Sequence, residues 1–401
     1  MPACPYDRDM AHQAKSAIAG LGFSDIGKVY GRSTTSFALE AIDRALEDCG
    51  LHKEQLDGLL MQSGISQPGI GLALQNAGGF RNLRLVNHMN AMGATPVSMV
   101  QYATMAIQNG MASAIACVFA DAPMSDPAAR SSAGMNAARN RQPPTGFASL
   151  DLYYGPMNPN AGYAMAARRH MALYGITSEQ FGAIAVSTRA WACKNPMAQF
   201  QTPITIEDHQ NSRWIAEPFH LLDCCLISNG AVAVIVTGIE RARDLKSKPA
   251  YVLAMAQGYP GNSRRAGETH DYMTGAAIAR DTLYGQVGVS AHDIDVCELY
   301  DCYTYPTLVT LEDYGFCEKG EGGPFVEDGK LGPGGSLPTN TGGGELSSFY
   351  LWGMTPLTEG VIQARGSGGD RQVEKHDLVL VTGNGGLLDY HASLILSPNA
   401  A

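Results

Sequence analysis

The chain is poor in charge and lacks the close cysteine and histidine spacings that usually mark a metal site. Of its 401 residues only 16% are Asp, Glu, Lys or Arg, and the formal balance is −10. That sign argues against a nucleic-acid partner and against an anionic membrane surface, while leaving room for a local basic pocket. Nine cysteines include no CxxC pair, and ten histidines no HExxH. An odd number of scattered thiols reads as reduced cysteine rather than a disulfide framework or a zinc cluster. No apolar run reaches membrane-spanning length, and the opening MPACPYDRDMAHQAK has no apolar core of the signal-peptide kind. What is present is core-forming material: 45% of the residues are apolar, ample for more than one domain. The expectation is a soluble, cytoplasmic protein with no metal and no tightly bound cofactor of its own.

The sequence repeats itself. FALEAIDRALEDCGLHKEQLDGLL (37–60) and AAIARDTLYGQVGVSAHDIDVCE (276–298) each give a helix, a glycine stop, a short acidic segment and an apolar strand. Gly50 matches Gly288, Leu51 matches Val289 and Asp57 matches Asp295, all at one constant offset. A second pairing follows. VSMVQYATMAIQNGMASAIACVFAD is a helix closed by Asn109-Gly110 and then a strand, and PLTEGVIQARG followed by KHDLVLVTGNGG has the same order. Helices alternating with short Val/Ile/Ala strands predict a duplicated α/β unit with parallel sheets covered on both faces. The stretch from about Ala122 to Glu217 breaks the pattern: it is rich in Pro, Asn and Met, and then holds two helices, GYAMAARRHMALYG and SEQFGAIAVSTRAWACKN.

Four segments carry candidate chemistry. In IDVCELYDCY, alternation places Ile294, Val296, Glu298 and Tyr300 on one face, so Tyr300 emerges at the C-terminal edge where open α/β sheets hold their sites. Taken alone, a strand tyrosine reads as core packing. In NTGGGELSSFYLWG, Tyr350 lies ten residues beyond Asn340, and Gly342, Gly343 and Gly344 let backbone approach a ligand closely. VTGNGGLLDYH ends a strand in Gly383-Asn384-Gly385-Gly386, whose amides are free to polarise a carbonyl oxygen. VNHMNAMGATPVSM is a strand-to-helix turn, with the helix opening between Gly93 and Pro96. Arg168, Arg169 and His170 are candidates for phosphate contacts, although charges on a surface helix are the commoner explanation.

These motifs, with IAEPFHLLDCCLISNGAVAVIVTG, resemble the thiolase superfamily, and within it the sterol-carrier-protein type, whose corresponding stretches read roughly PLxLLDCCxxSDGAAAVI, HDCF and NxxGGxxxxxGHP. The resemblance covers all but the opening residues. It implies an α/β thiolase fold: two duplicated βαβαβ-type halves packed in layers of helices and mixed sheets, the first over 1–240 with an inserted loop domain at about 122–217, the second over 241–401. In the family that insertion covers the active site and binds coenzyme A.

Several departures matter. Asn229 replaces an Asp of the signature, and Asn384 the cysteine of a CGG turn. The nucleophilic cysteine, which a helix N-terminus would activate, is missing: its position falls on Gly93 or, in a neighbouring register, Asn90. Cys117, the nearest cysteine, lies in the next strand and is expected to be buried. Tyr300 and Tyr350 stand where the two catalytic histidines belong. This set resembles the aldolase subunit of bacterial steroid side-chain degradation, where glycine fills the nucleophile slot and tyrosines replace both histidines. There the motif reads YDHF, from which Cys302 departs.

The resemblance implies a retro-aldol cleavage of a β-hydroxyacyl-CoA. One tyrosine acts as base on the hydroxyl, the other protonates the enolate, and Gly93, Gly385, Gly386 and Asn340 surround the enolate oxygen, with Cys302 as a further acid/base thiol. One tyrosine must then be lowered from its usual ~10 to serve as base. It also implies coenzyme A as part of the substrate, a homodimer, and a small zinc-ribbon/OB-fold partner of the domain-of-unknown-function 35 type. Three other readings stay open: an acyltransferase or β-ketothiolase, a non-catalytic subunit, and a lyase acting on another ring system.

Overall fold

The computed structural model describes residues 14–64, 71–125, 159–260 and 273–400. Much of the predicted insertion, 126–158, and the opening residues 1–13 lie outside them. The strands are β1 (Ser16–Phe23), β2 (Gly58–Ser63), β3 (Leu85–His88), β4 (Ala114–Asp121), β5 (Trp214–Ala216), β6 (Phe219–His220), β7 (Gly230–Thr237), β8 (Ala250–Gly258), β9 (Val296–Glu298), β10 (Val379–Gly385) and β11 (Tyr390–Ser397). Nine of them form one sheet, ordered β3-β2-β4-β7-β1-β8-β11-β10-β9, and β5 and β6 pair separately.

The order is a palindrome of the repeat. Running outward from the central β1–β8 pair, each half has its first strand, then its last, then its middle ones. The sheet is mixed rather than parallel. β2–β3, β2–β4 and β9–β10 are parallel, while the other five neighbour pairs are antiparallel: β7 and β11 return against their neighbours, and the two halves meet head to tail at β1–β8. Strands covered on both faces read as continuous apolar runs in either direction, so composition alone did not distinguish the two.

Alternation along each strand sorts side chains into layers. On β4, Ile115, Cys117 and Phe119 face a middle layer, and Ala114, Ala116 and Val118 an outer one. On β10, Val379 and Val381 face the same middle layer, and Leu380 the opposite outer one. Of the helices, α1 (Thr34–Cys49), α2 (Gly71–Gly78) and α3 (Thr95–Gln108) belong to the first half. Next come α4 (Pro159–Tyr174) and α5 (Ser178–Ala192), then α6 (Ala276–Gly285), α7 (Thr304–Asp313) and α8 (Met354–Ala364). The middle layer is α3 and α8, one from each half, with Val97, Val100, Leu357 and Val361 buried in it. Each fully buried aliphatic side chain of this kind contributes about 1.5–3 kcal/mol.

The duplicated segments behave alike. α1 starts where the Ser33 side chain accepts the Ser36 N–H and stops at Gly50, whose φ of 75° suits glycine. Gly288, with φ 72°, closes the end of α6 by donating to Tyr284 O. The Asp57 carboxylate accepts the Ser113 and Ala114 N–H groups at the entry to β4, and Asp295 accepts the Leu378 N–H at the entry to β10. α4 and α5 fall on the two helices predicted within the insertion.

Candidate active site

The parallel ladder at β9 stops at Glu298, two residues before Tyr300. The stop has a cause: the Asn340 side-chain oxygen takes the Leu299 N–H at 2.7 Å, and Thr382 Oγ on β10 takes the Tyr300 N–H at 3.2 Å. Asn340 itself sits at φ 53°, a conformation that asparagine tolerates better than most residues. The alternation therefore breaks. Val296 packs in the middle layer, whereas Tyr300 packs with Cys297 and Leu299 in the outer one, and the four residues expected on one face do not share it.

Tyr300 is 4% exposed, and its hydroxyl lies 3.1 Å from that of Tyr350. Tyr350, half-buried, is held through its N–H by Ser228 Oγ. Tyr300 is pressed against the turn before α3. A Cβ added to Gly93 would lie 2.4 Å from the Tyr300 ring and 2.2 Å from Asn384 O. The room a side chain at Gly93 would need is filled by the tyrosine ring. Asn90 is exposed, and its side chain caps the Met92 N–H. The turn is anchored by Gln62, which donates to Met92 O and to Thr95 Oγ. Pro96 occupies the first turn of α3.

The electrostatics run opposite to the expected lowering. Burial pushes both phenols well up, with the Tyr350 hydroxyl adding to the rise at Tyr300. Cys302 is buried, and burial likewise raises its thiol, with the Glu345 carboxyl adding to the effect. Cys225, which the sequence reading did not single out, also faces the tyrosines, and burial raises it too. Cys117 is fully buried in β4, as expected, and pushed up. None of these thiols has the environment of a thiolate nucleophile.

The remaining candidates divide. The Gly386 N–H points at Met92 Sδ, 3.2 Å away, a weak acceptor that a carbonyl oxygen would readily displace; Gly386 O accepts from Tyr163 of α4. Gly385 is packed under Ala91 O, with no space for a Cβ. The glycines of the 342–344 run make room for protein groups: a Cβ on Gly344 would meet Asp301 Oδ2 at 2.0 Å, and one on Gly342 would meet Glu359. The Asn384 side chain turns away from the tyrosines to His391, whose Nδ1 lies 2.6 Å from Asn384 Oδ1 and whose Nε2 lies 2.7 Å from the Tyr314 hydroxyl.

Asn229 staples three segments through Val29 O and both backbone groups of Met124. His170 is no phosphate contact. It is fully buried, with Nε2 3.1 Å from Glu312. Arg168 is exposed and pairs with Glu217. Glu345 and Tyr163 lie near Tyr300, and Asp301 follows it in the chain; all three are buried, and the sequence reading singled out none of them. The one available signal was an acid, Glu345, embedded among small residues between the glycine run and Tyr350.

Two repeated halves whose strand ends converge on one cluster define a thiolase-fold protein, here with a tyrosine ring packed on Gly93 before α3. The comparisons agree. Residues 262–398 match the Thiolase C-terminal domain-like family. The 17-hydroxy-3-oxo-4-pregnene-20-carboxyl-CoA lyase of Mycobacterium tuberculosis is 39% identical over 88% of this chain and 92% of that protein. The steroid side-chain-cleaving aldolase of Thermomonospora curvata is 37% identical over 92% and 95%. The solved Ltp2-ChsH2(DUF35) aldolase superposes with a TM-score of 0.84 at 36% identity, covering 97% of this chain and 98% of that one. The chain belongs to the thiolase superfamily, in the branch that holds these aldolases.

Proposed function

We propose that this protein is a retro-aldolase that cleaves the Cα–Cβ bond of a steroidal β-hydroxyacyl-CoA, giving a ketone and a shortened acyl-CoA. The observation that carries the reading is the pair of tyrosine hydroxyls 3.1 Å apart, packed on a glycine where a thiolase would hold its cysteine. Such a site has two adjacent proton-transfer groups, and its two thiols, Cys225 and Cys302, are held neutral by burial. It suits a reaction that moves protons between oxygen and carbon without a covalent intermediate. The names of the relatives support the same chemistry.

In the reaction, a tyrosine hydroxyl receives the substrate hydroxyl proton as it passes its own on. The hydroxyl oxygen forms the ketone C=O at Cβ as the Cα–Cβ bond breaks, the electron pair of that bond passes to Cα as the enolate, and the other tyrosine delivers a proton to the enolate carbon. The Gly386 amide and the backbone beside Gly93 and Gly385 face the enolate oxygen once Met92 moves aside. Asn340 holds the Leu299–Tyr300 backbone in place, and Cys302 packs beneath the tyrosines as a neutral thiol. Coenzyme A enters as part of the substrate. The protein works as a homodimer of cytoplasmic chains, each divided near 240/241, with a small zinc-ribbon partner of the DUF35 kind. The presence of a DUF35 chain in the related aldolase supports that partnership. No described helix is long and apolar enough to cross a membrane.

The test is turnover of a steroidal β-hydroxyacyl-CoA bearing a tertiary hydroxyl, by the full chain with and without such a partner, following both products by mass spectrometry. Ketone and shortened acyl-CoA formed in equal amounts are expected. Acyl-CoA binding without cleavage, on this and on aryl or terpenoid esters, would instead make the chain a non-catalytic subunit.

A further inference from the structure

Behind the tyrosines lie two carboxyl groups that the reaction as written does not use. Glu345 sits in a π-helical turn, Gly344–Ser348, fully buried, and neither of its carboxyl oxygens has a hydrogen-bond partner. Its main chain is fixed on both sides: the N–H donates to Asp301 Oδ1 at 2.7 Å, and the carbonyl accepts the Leu226 N–H. Asp301 follows Tyr300 directly and is also fully buried; its Oδ2 has no partner. Leaving such a group unpaired costs several kcal/mol, so a carboxyl kept for stability would have found partners. The Gly344 backbone, which comes too close to Asp301 for any side chain, brings the two acids together.

The two are not equivalent. Asp301 accepts the Glu345 N–H through Oδ1, which suits a carboxylate. Glu345 has none, which suits a neutral acid. We propose that the two carboxyls form an acid–base pair behind the tyrosines, Asp301 receiving the proton that leaves the substrate hydroxyl and Glu345 supplying the one that reaches the enolate carbon. This rests on the retro-aldol reading above. The protons balance: hydroxyl to tyrosine to Asp301, Glu345 to tyrosine to carbon, after which one proton passes from Asp301 back to Glu345; neither tyrosine hydroxyl touches a carboxyl at rest, so the side chains must close up in turnover. The electron pair of the broken C–C bond goes to the enolate and then to the new C–H bond.

The titratable groups facing Glu345 are Tyr300, Asp301 and Cys302 beyond β9, Tyr350 beyond its own turn, Cys225 before β7 and Tyr163 on α4, all of them acids. Burial pushes Asp301 up to about 7, with its N–H donors opposing, and burial followed by the Asp301 charge pushes Glu345 well above its usual range. Two acids whose environments separate them in this way take the roles of base and acid.

Glu345→Gln keeps the size and removes the proton. In the cleavage assay it is expected to lower kcat about a hundredfold with KM unchanged. It should also slow deuterium uptake at the α-carbon of the shortened acyl-CoA in D2O, and leave the melting temperature unchanged or raised. Asp301→Asn keeps an oxygen for the Glu345 N–H and should remove the rise of kcat with pH near neutrality. Wild-type kcat, pH profile and exchange rate in Glu345→Gln would overturn the proposal while leaving the retro-aldolase standing. A wild-type protein that cleaves nothing removes both.

Discussion

The two halves of the molecule use the same devices everywhere except where their strand ends meet. In both, a left-handed glycine closes the first helix and an aspartate after it ties down the entry to a neighbouring strand. Asp57 and Asp295 also donate their own N–H groups to Ala114 O and Leu378 O, which sets a residue-by-residue correspondence. Carried along the strands, it places Ala120 and its partner Ala231 opposite Asn384 and His391. At these matched positions the first half carries small apolar side chains, while the second carries an asparagine and a buried histidine, and Tyr300 and Tyr350 also belong to it. In the proposed reaction one half is the floor of the site and the other supplies the tyrosines. Duplication preserved the scaffold because those contacts set the fold, and left the ends free to diverge.

Replacing the reactive groups of the second half should have the largest effect. Tyr300→Phe and Tyr350→Phe are each expected to lower kcat by about 10² to 10⁴ while acyl-CoA still binds, since each removes only a hydroxyl. Steady-state cleavage kinetics with a binding titration separates the two. Undiminished cleavage by either variant would remove that tyrosine from the chemistry. Changing the floor comes next. Gly93→Ala puts a methyl group into the Tyr300 ring and against Asn384 O, so the ring must leave its place beside Tyr350. Loss of most cleavage is expected, with destabilisation of about 1–3 kcal/mol in urea unfolding.

Much of this contrast was legible in the sequence. The constant offset linking Gly50 to Gly288 and Asp57 to Asp295 exposed the repeat, because a glycine stop and an anchoring acid need particular residue types. Gly93, Tyr300 and Tyr350 stood out as departures from a familiar pattern. Strand direction was not legible, since Ala, Val and Ile in doubly covered strands pack equally well in either sense. Nor was the role of His170: a histidine after two arginines on a helix looks exposed, and only the tertiary contact with Glu312 buries it. Glu345 carried no periodicity to mark it, and its meaning depends on Asp301, which lies far away in the chain.

His391 gives a third test of the second half's polar end. Burial pushes its imidazole down to about 3, so it is neutral between the Tyr314 hydroxyl and Asn384. The unfolded chain, with an ordinary histidine near ~6.5, binds a proton at pH 5 that the folded one does not. Stability from this residue is therefore present above about pH 6.5 and falls as pH drops, by about 2 kcal/mol between pH 7 and 5. Replacing His391 with Gln should remove that part of the slope in urea unfolding at the two pH values. An unchanged slope would mean that the imidazole binds its proton equally in the folded and the unfolded chain, with no effect of burial.

The smallest effect sharpens the likeness rather than the difference. Asp57→Ala leaves the Ser113 and Ala114 N–H groups without their carboxylate, and Asp295→Ala does the same to Leu378 while freeing Lys375. Each is expected to cost about 1.5 kcal/mol, the order of a lost hydrogen bond to a charged acceptor, with kcat intact. The anchors lie in opposite halves of the sheet and share no partner, so the double substitution should equal the sum of the singles within about 0.5 kcal/mol. Urea unfolding of the three variants measures this directly. A coupling well beyond that margin would mean that strain at one strand entry is felt at the other through the middle helices, and that the two halves do not fold as separable repeats.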